Sequence, residues 1–419
     1  MLSKLKPKSE FTRNVLTLMT GSMIAQAIPI AISPILTRIY TPKDFGIFAL
    51  YMSVASLLAT FATGRYELAI MLPKKDEDAL TILSLSLIIS FIISFLSLLF
   101  IVIFNENICN LLGNNLLSNW LYLIPISVLF TGLYQSFNYW NNRRKYYKTL
   151  AISRVSVSAT TGTSNLSLGA SGFGASGLII STLLGQIVST LVLAKSFYKV
   201  DRKLLKNANK VKLIALMKKY KKFPLLNLPN AVIDSFRLSG INMLIAKYFT
   251  TGVLGQFSLA WKMVQVPIIL IGGSLGQVFF QKISSIPKSD IYLTIITYIK
   301  KASFISAPIF LVIYLFSKDI FGFVFGEEWI LAGESASIMA PWLFINFVSS
   351  PLVAVMLILN KQEYVLIFSI FYMLIPLLLI INLYSYGFIY TLIQITLAMS
   401  ILLLLFSMVI IYQAKKEQI

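Results

Sequence analysis

Twelve apolar stretches of roughly twenty residues, joined by short polar connections, run the length of the chain and decide which solvent it can fold in. A segment that is apolar on every side has no face to offer water. In hydrocarbon it survives as a helix, because a helix satisfies all its peptide groups internally. The stretches fall near residues 15–39, 45–72, 79–104, 116–140, 149–170, 173–197, 224–247, 251–280, 302–325, 333–358, 364–383 and 387–412. Composition agrees: 57% of the 419 residues are hydrophobic and 12% are charged, where a soluble domain carries about 25% charged residues. The expected class is an all-α integral membrane protein with twelve transmembrane helices.

The formal net charge of +20 would point to nucleic acid in a soluble chain. Here its distribution is topological, and no nucleic-acid partner is expected. Of the 36 Lys and Arg residues, 28 lie in the N-terminus, the even-numbered connections and the C-terminus, whereas Arg38, Lys43, Lys247 and Lys318 alone occupy the odd-numbered connections. The positive-inside rule then predicts both termini on the cytoplasmic side. The basic start "MLSKLKPKSEFTRN" leads straight into apolar sequence, which predicts an uncleaved first span rather than a signal peptide.

Residues 195–222, "KSFYKVDRKLLKNANKVKLIALMKKYKK", separate six apolar stretches from six. This divides the chain into a lobe at 1–197, a basic cytoplasmic linker at 198–223 and a lobe at 224–419. The linker is expected to be solvated and held against anionic lipid headgroups. A second basic stretch at 289–301 reads as an amphipathic lead-in to the ninth helix.

The halves resemble each other at an offset of 209 residues. "RIYTPKDFGIFALYM" at 38–52 aligns with "KYFTTGVLGQFSLAW" at 247–261, matching Thr41 to Thr250, Gly46 to Gly255, Phe48 to Phe257 and Leu50 to Leu259. An even number of crossings per half makes this a parallel repeat, so two pseudo-symmetric six-helix lobes are expected around a central cavity. Pro29 and Pro34 in the first helix, and Pro224 and Pro229 in the seventh, mark candidate bending points.

Four cations fall inside predicted spans: Arg65, Arg154, Arg237 and Lys262. Each is costly in hydrocarbon, by about 2.5–3.5 kcal/mol at mid-bilayer on insertion scales, and so is expected to face water or a partner. On a helix, Arg65 and Glu67 would diverge by about 200° and could not pair with each other. Asp234 and Arg237, three apart, share a face. Lys262 has no acidic residue within a turn. None of the four recurs at the 209-residue offset, where Arg65 meets Ser274 and Lys262 meets Ser53. Such a set suits a net cationic chamber for an anionic ligand. The fifth stretch is polar instead: fourteen of the 22 residues from Ser156 to Gly177 are Ser, Thr or Gly, suggesting a packed or partly unwound span.

Other chemistries find little footing. Histidine is absent and Cys109 is the single cysteine, which removes the usual transition-metal ligands and any intramolecular disulfide. No phosphate-binding loop signature occurs, and no cofactor is expected.

The blocks "LTRIYTPKDFGIFALYMSVASLLATFATGRYELAIMLP", "YWNNRRKYYKTLAISRV", "FPLLNLPNAVIDSFRLSGINMLIAKYF" and "FGEEWILAG" resemble the bacterial Wzx-type O-antigen and polysaccharide flippases. That family sits in a larger group with the MATE drug exporters and lipid II flippases. The resemblance implies a MATE-like fold in the bacterial inner membrane and no enzymatic activity. It implies transport of an undecaprenyl-pyrophosphate-linked repeat unit to the periplasmic leaflet, alongside a polysaccharide polymerase and a chain-length regulator. Arg65, Arg154, Arg237 and Lys262 are then expected to hold the substrate, with Glu67 and Asp234 orienting them or coupling to an ion. An ion-coupled drug exporter, or a membrane polymerase or ligase, is the alternative.

Overall fold

In the computed structural model, which describes residues 10–201 and 210–417, all regular structure among the described residues is helical. The first part of the chain holds α1 (Glu10–Ile39), α2 (Pro42–Ala59), α3 (Asp76–Leu112), a one-turn α4 (Ser118–Leu121), α5 (Ile124–Arg143), α6 (Tyr147–Ala170), α7 (Ala175–Val200) and α8 (Lys210–Lys219). After α9 (Leu228–Tyr248) come α10 (Thr251–Pro267), α11 (Gly273–Ser285), α12 (Ile291–Phe325) and α13 (Ile330–Ser349). The short α14 (Val353–Ile358), α15 (Gln362–Leu383) and α16 (Phe388–Lys416) complete it.

Each of the twelve predicted intervals holds helix. Among the described residues, eight helices are long and apolar enough to cross a membrane, and nine if the pair Asn115–Leu121 and Ile124–Arg143, bent by 49°, is one span. Outside that set lie α2, α6 and α9, the helices that carry or lead into Arg65, Arg154, Asp234 and Arg237.

The chain divides into two compact units, one ending at Ser239 and one beginning at Gly240. The division falls inside α9 and not in the 198–223 stretch, because α8 belongs to the first unit. Residues 202–209 of the expected linker, like residues 1–9 of the basic N-terminus, lie outside the described residues. The remainder of the linker is not simply solvated. Leu216 is buried in a cluster with Tyr66, Ile70, Leu80 and Trp140, and Leu213, Tyr220 and Phe223 pack against it. Lys212 pairs with Asp78 at 2.7 Å, and the hydrogen bond its ammonium donates to that carboxylate holds it above its ordinary pKa. The apolar face of this short helix finds protein to cover it.

Within the first unit, α1 packs on α6, α6 on α7, and α7 on α2 and α5. The Ser/Thr/Gly-rich stretch is helical to Ala170, leaves helix over 171–174, where Gly172 (φ 78°) and Gly174 (φ 52°) take positive φ, and resumes as helix at Ala175. The composition of its helical part serves close approach: a Cβ on Gly162 would strike Ile32 Cδ1 at 2.9 Å, and one on Gly169 would strike Ile39 and Tyr40 at 2.7 Å. In the second unit α13 is central, packing against α10, α12 and α16. The lead-in at 289–301 merges into α12, whose buried Ile291, Thr294, Ile295, Tyr298 and Ala302 keep the i, i+3, i+4 spacing of an amphipathic helix. Pro29 and Pro34 lie inside an uninterrupted α1, while Pro224 sits in a π-helical turn (Phe223–Asn227) ahead of α9.

The repeat has a physical core in its caps. Thr41 caps α2: its Oγ1 accepts from the Asp44 N–H at 3.2 Å, and Asp44 Oδ2 accepts from the Thr41 N–H at 3.0 Å. Thr250, its counterpart, caps α10 by accepting from the Val253 N–H at 3.1 Å. Asp44 does more in its own unit, since Oδ1 also accepts the Ala175 N–H at 2.9 Å and so caps α7.

Candidate functional site: a polar cavity in the first unit

The predicted second helix, 45–72, stops early. Helix α2 ends at Ala59, the chain turns through 60–65, and a 3₁₀ helix covers Tyr66–Met71. Gly64 (φ 57°) and Arg65 (φ 63°) both adopt the left-handed conformation, which is uncommon for a residue with a side chain and costs it about 1–2 kcal/mol.

That turn also overturns the expectation that Arg65 and Glu67 cannot meet. Left-handed backbone at Arg65 replaces the 200° divergence of a helix with convergence, and Arg65 Nη1 lies 3.5 Å from Glu67 Oε1. The Glu67 side chain is 1% exposed against 29% for Arg65. Thr63 Oγ1 donates to Glu67 Oε2. A sealed carboxylate thus anchors a guanidinium that still reaches open space.

The open space is a cavity of about 280 Å³ within the first unit. Ser56, Thr60 and Arg65 line it from the α2 side, Ser127, Thr131 and Gln135 from α5, and Gln186 from α7. Residues 127, 131 and 135 are spaced four apart, so α5 presents them as one polar ladder. Ser127 Oγ is fixed by the buried Tyr51 hydroxyl at 2.8 Å. No carboxylate is among the lining residues. Two lining atoms are buried without a hydrogen-bond partner: Arg65 Nε, a donor, and Gln186 Oε1, an acceptor.

Of the six residues expected to form the site, Arg65 lines this cavity and Glu67 stands behind it. Arg154 does not line it. Half-buried on α6, it donates through Nη1 to Ser22 Oγ on α1, bridging two helices. On α9, Asp234 is exposed and Arg237 half-buried. Lys262 is exposed on α10 of the second unit.

The sequence reading missed Ser127, Thr131, Gln135 and Gln186. Their four-residue spacing in an otherwise apolar helix was the available signal for the three on α5. It also missed what the "RR" of the 141–148 run does. Arg143 donates to Asp76 Oδ1 through Nε at 3.1 Å and Nη2 at 2.9 Å, and its Nη1 donates to the Ile70 carbonyl at 3.2 Å. Arg144 joins Asp76 at 2.6 Å and the buried Asp201 at 3.1 Å, and Trp140 Nε1 donates to Asp201 Oδ2 at 2.9 Å. These bonds clamp the far end of the same 3₁₀ segment whose near end presents Arg65.

Helices of membrane length, a polar cavity within a helical bundle and a repeated half define a polytopic membrane protein of transporter fold. The chain belongs to the polysaccharide biosynthesis protein family, whose model matches residues 35–334. None of the curated proteins matches it. Among solved structures it is similar to the lipid II flippase MurJ in an inward closed conformation, with a TM-score of 0.75 and 14% identity over 97% of this chain and 90% of that one. It is similar to an inward-facing multidrug resistance MATE family transporter of the MOP superfamily, with a TM-score of 0.73 and 16% identity over 95% of each chain. A MOP superfamily transporter from Pyrococcus furiosus aligns with a TM-score of 0.62 and 14% identity, covering 97% of this chain and 96% of that one. At these identities the likeness is one of fold.

Proposed function

We propose that this protein is a flippase that carries an undecaprenyl-pyrophosphate-linked O-antigen or polysaccharide repeat unit from the cytoplasmic to the periplasmic leaflet of the bacterial inner membrane by alternating access. The observation that carries the reading is Arg65, anchored by buried Glu67 and open to a cavity lined with hydroxyls and amides but no carboxylate. A pyrophosphate presents concentrated anionic oxygens, which a guanidinium fork recognises through charge-assisted hydrogen bonds. The hydroxyl and amide groups of Ser127, Thr131, Gln135 and Gln186 match the hydroxyls of a sugar.

Family membership in polysaccharide biosynthesis and a fold shared with a lipid II flippase support a lipid-linked substrate. Arg154, Arg237 and Lys262 are assigned as further contacts, and Asp234 as an orienting or ion-coupling group. The Lys and Arg distribution supports cytoplasmic termini. Transport calls for no covalent step by the protein. A polymerase and a chain-length regulator would act on the delivered unit.

The likeness to a multidrug exporter favours a second reading, the extrusion of organic cations. A cavity with an arginine and no lining carboxylate opposes it. The test replaces Arg65 and, separately, Lys262 by alanine in the producing strain, with membrane levels checked by immunoblot. Loss of surface polymer together with accumulation of complete lipid-linked units on the cytoplasmic side is expected. Unchanged polymer in both strains would end the electrostatic mechanism, and accumulation of unpolymerised units on the periplasmic side would point to a polymerase instead.

A further inference from the structure

We infer that residues 268–276 are a switchable counterpart of the turn at 59–65, a stretch of the second unit that alternates between a π-helical and an unwound backbone. The 209-residue offset that superimposes the caps Thr41 and Thr250 also superimposes two interruptions. Helix α2 ends at Ala59, and α10 ends at Pro267, one residue short of the position equivalent to 59. Beyond these points the units differ. The first leaves helix altogether over 60–65, whereas the second holds a π-helical turn, Ile268–Gly272, before α11 resumes.

Unlike sequences produce these breaks. Pro267, which withholds an N–H and crowds the preceding turn, stands where the first unit has Leu58, and the first unit has Thr60 and Thr63 in its turn instead. Their shared register is therefore a property of the fold and not of one breaker residue. A π turn carries one residue beyond α-helical spacing, here closed by the Gly273 N–H donating to the Ile268 carbonyl five residues back. Opening it frees that residue to the loop.

Gly273 is what permits the opening. It is the repeat equivalent of Gly64, which sits left-handed at φ 57°. In the second unit Gly273 is right-handed at φ −59°, and a Cβ added there would meet nothing within 4 Å. No packing holds this position, and glycine reaches φ > 0 without steric cost. On the covered side, Gly272 and Gly276 present bare backbone to Phe347 and Pro351, where α13 gives way to a 3₁₀ turn over Ser350–Leu352. The wound and unwound forms of one repeated element are thus both on display, one in each unit.

The test is hydrogen exchange on the full chain in lipid nanodiscs, a reading of the backbone that holds whatever the protein transports. In the wild type, amides of 268–276 are expected to exchange faster than those of 254–262 in α10. Gly273→Ala adds a methyl in open space and favours helix over coil by ~1 kcal/mol, so exchange in that window should slow about five-fold. Equal protection of the two windows in the wild type, or no slowing of exchange on Gly273→Ala, overturns the inference.

Discussion

The contact that most rewards perturbation is the Arg65–Glu67 pair, because the sequence argued against it and the backbone creates it. Removing one partner of a fully buried ion pair costs about 3–5 kcal/mol. Two features reduce that figure here: Arg65 is 29% exposed and so keeps access to water in the cavity, and the 3.5 Å separation is long. In Glu67→Gln the amide oxygen still accepts from Thr63, which preserves part of the anchor. A coupling of about 1–2 kcal/mol between the two side chains remains. For a unit of this size that corresponds to about 2–8 °C in Tm. Thermal unfolding of the wild type, Arg65→Ala, Glu67→Gln and the double variant, all in one detergent, closes the cycle. The double variant is expected to be no less stable than Glu67→Gln alone, since it removes the guanidinium that Glu67→Gln strands. Effects that add to within about 0.3–0.5 kcal/mol would mean that the pair does not set the turn.

Other expectations follow from the packing. Asp44→Ala withdraws an acceptor from the starts of both α2 and α7, and should cost about 2 kcal/mol at typical capping values, whereas Val253, at the equivalent position of the second unit, should accept Ala with little change. Leu216→Ala should lower stability by about 2 kcal/mol by opening the cluster beneath α8, read as increased proteolysis between α7 and α9. Lys212→Gln, at a half-buried surface ion pair of small worth, should leave the cleavage rate nearly unchanged.

Helix positions were legible because the bilayer imposes one length and one polarity, and the sequence must obey both. The caps at Thr41 and Thr250 were legible as a repeat for a related reason: a helix start needs a short oxygen-bearing side chain at a fixed offset from the first free N–H groups. The end of α2 was not legible. "LLATFATGRYELAIML" remains apolar to Leu72, and hydropathy carries no information about the sign of φ at Gly64 and Arg65. What was built on that span as a continuous helix, the separation of Arg65 from Glu67, failed with it. The clamp around Asp76 was hidden differently. Its residues lie in three connections distant in sequence, and a Lys and Arg tally reads Arg143 and Arg144 as topology alone.

The failure of these cations, Lys262 and Arg65, to repeat has a packing origin. At the position equivalent to Lys262, Ser53 is 3% exposed and donates to the Ala49 carbonyl at 2.8 Å, tucked into its own helix inside the first unit. A lysine at 53 would have to displace neighbours packed to full density, so the first unit has no room for that charge. At the position equivalent to Arg65, Ser274 is exposed and bonds back to the Leu270 carbonyl at 3.4 Å, at the start of a helix that has not unwound. An arginine at 274 would find no turn to aim it and no Glu67 to anchor it. Each unit therefore carries a cation only where its local backbone leaves space, and two diverged copies of one scaffold acquire an asymmetric charge distribution without any change in the helices that repeat.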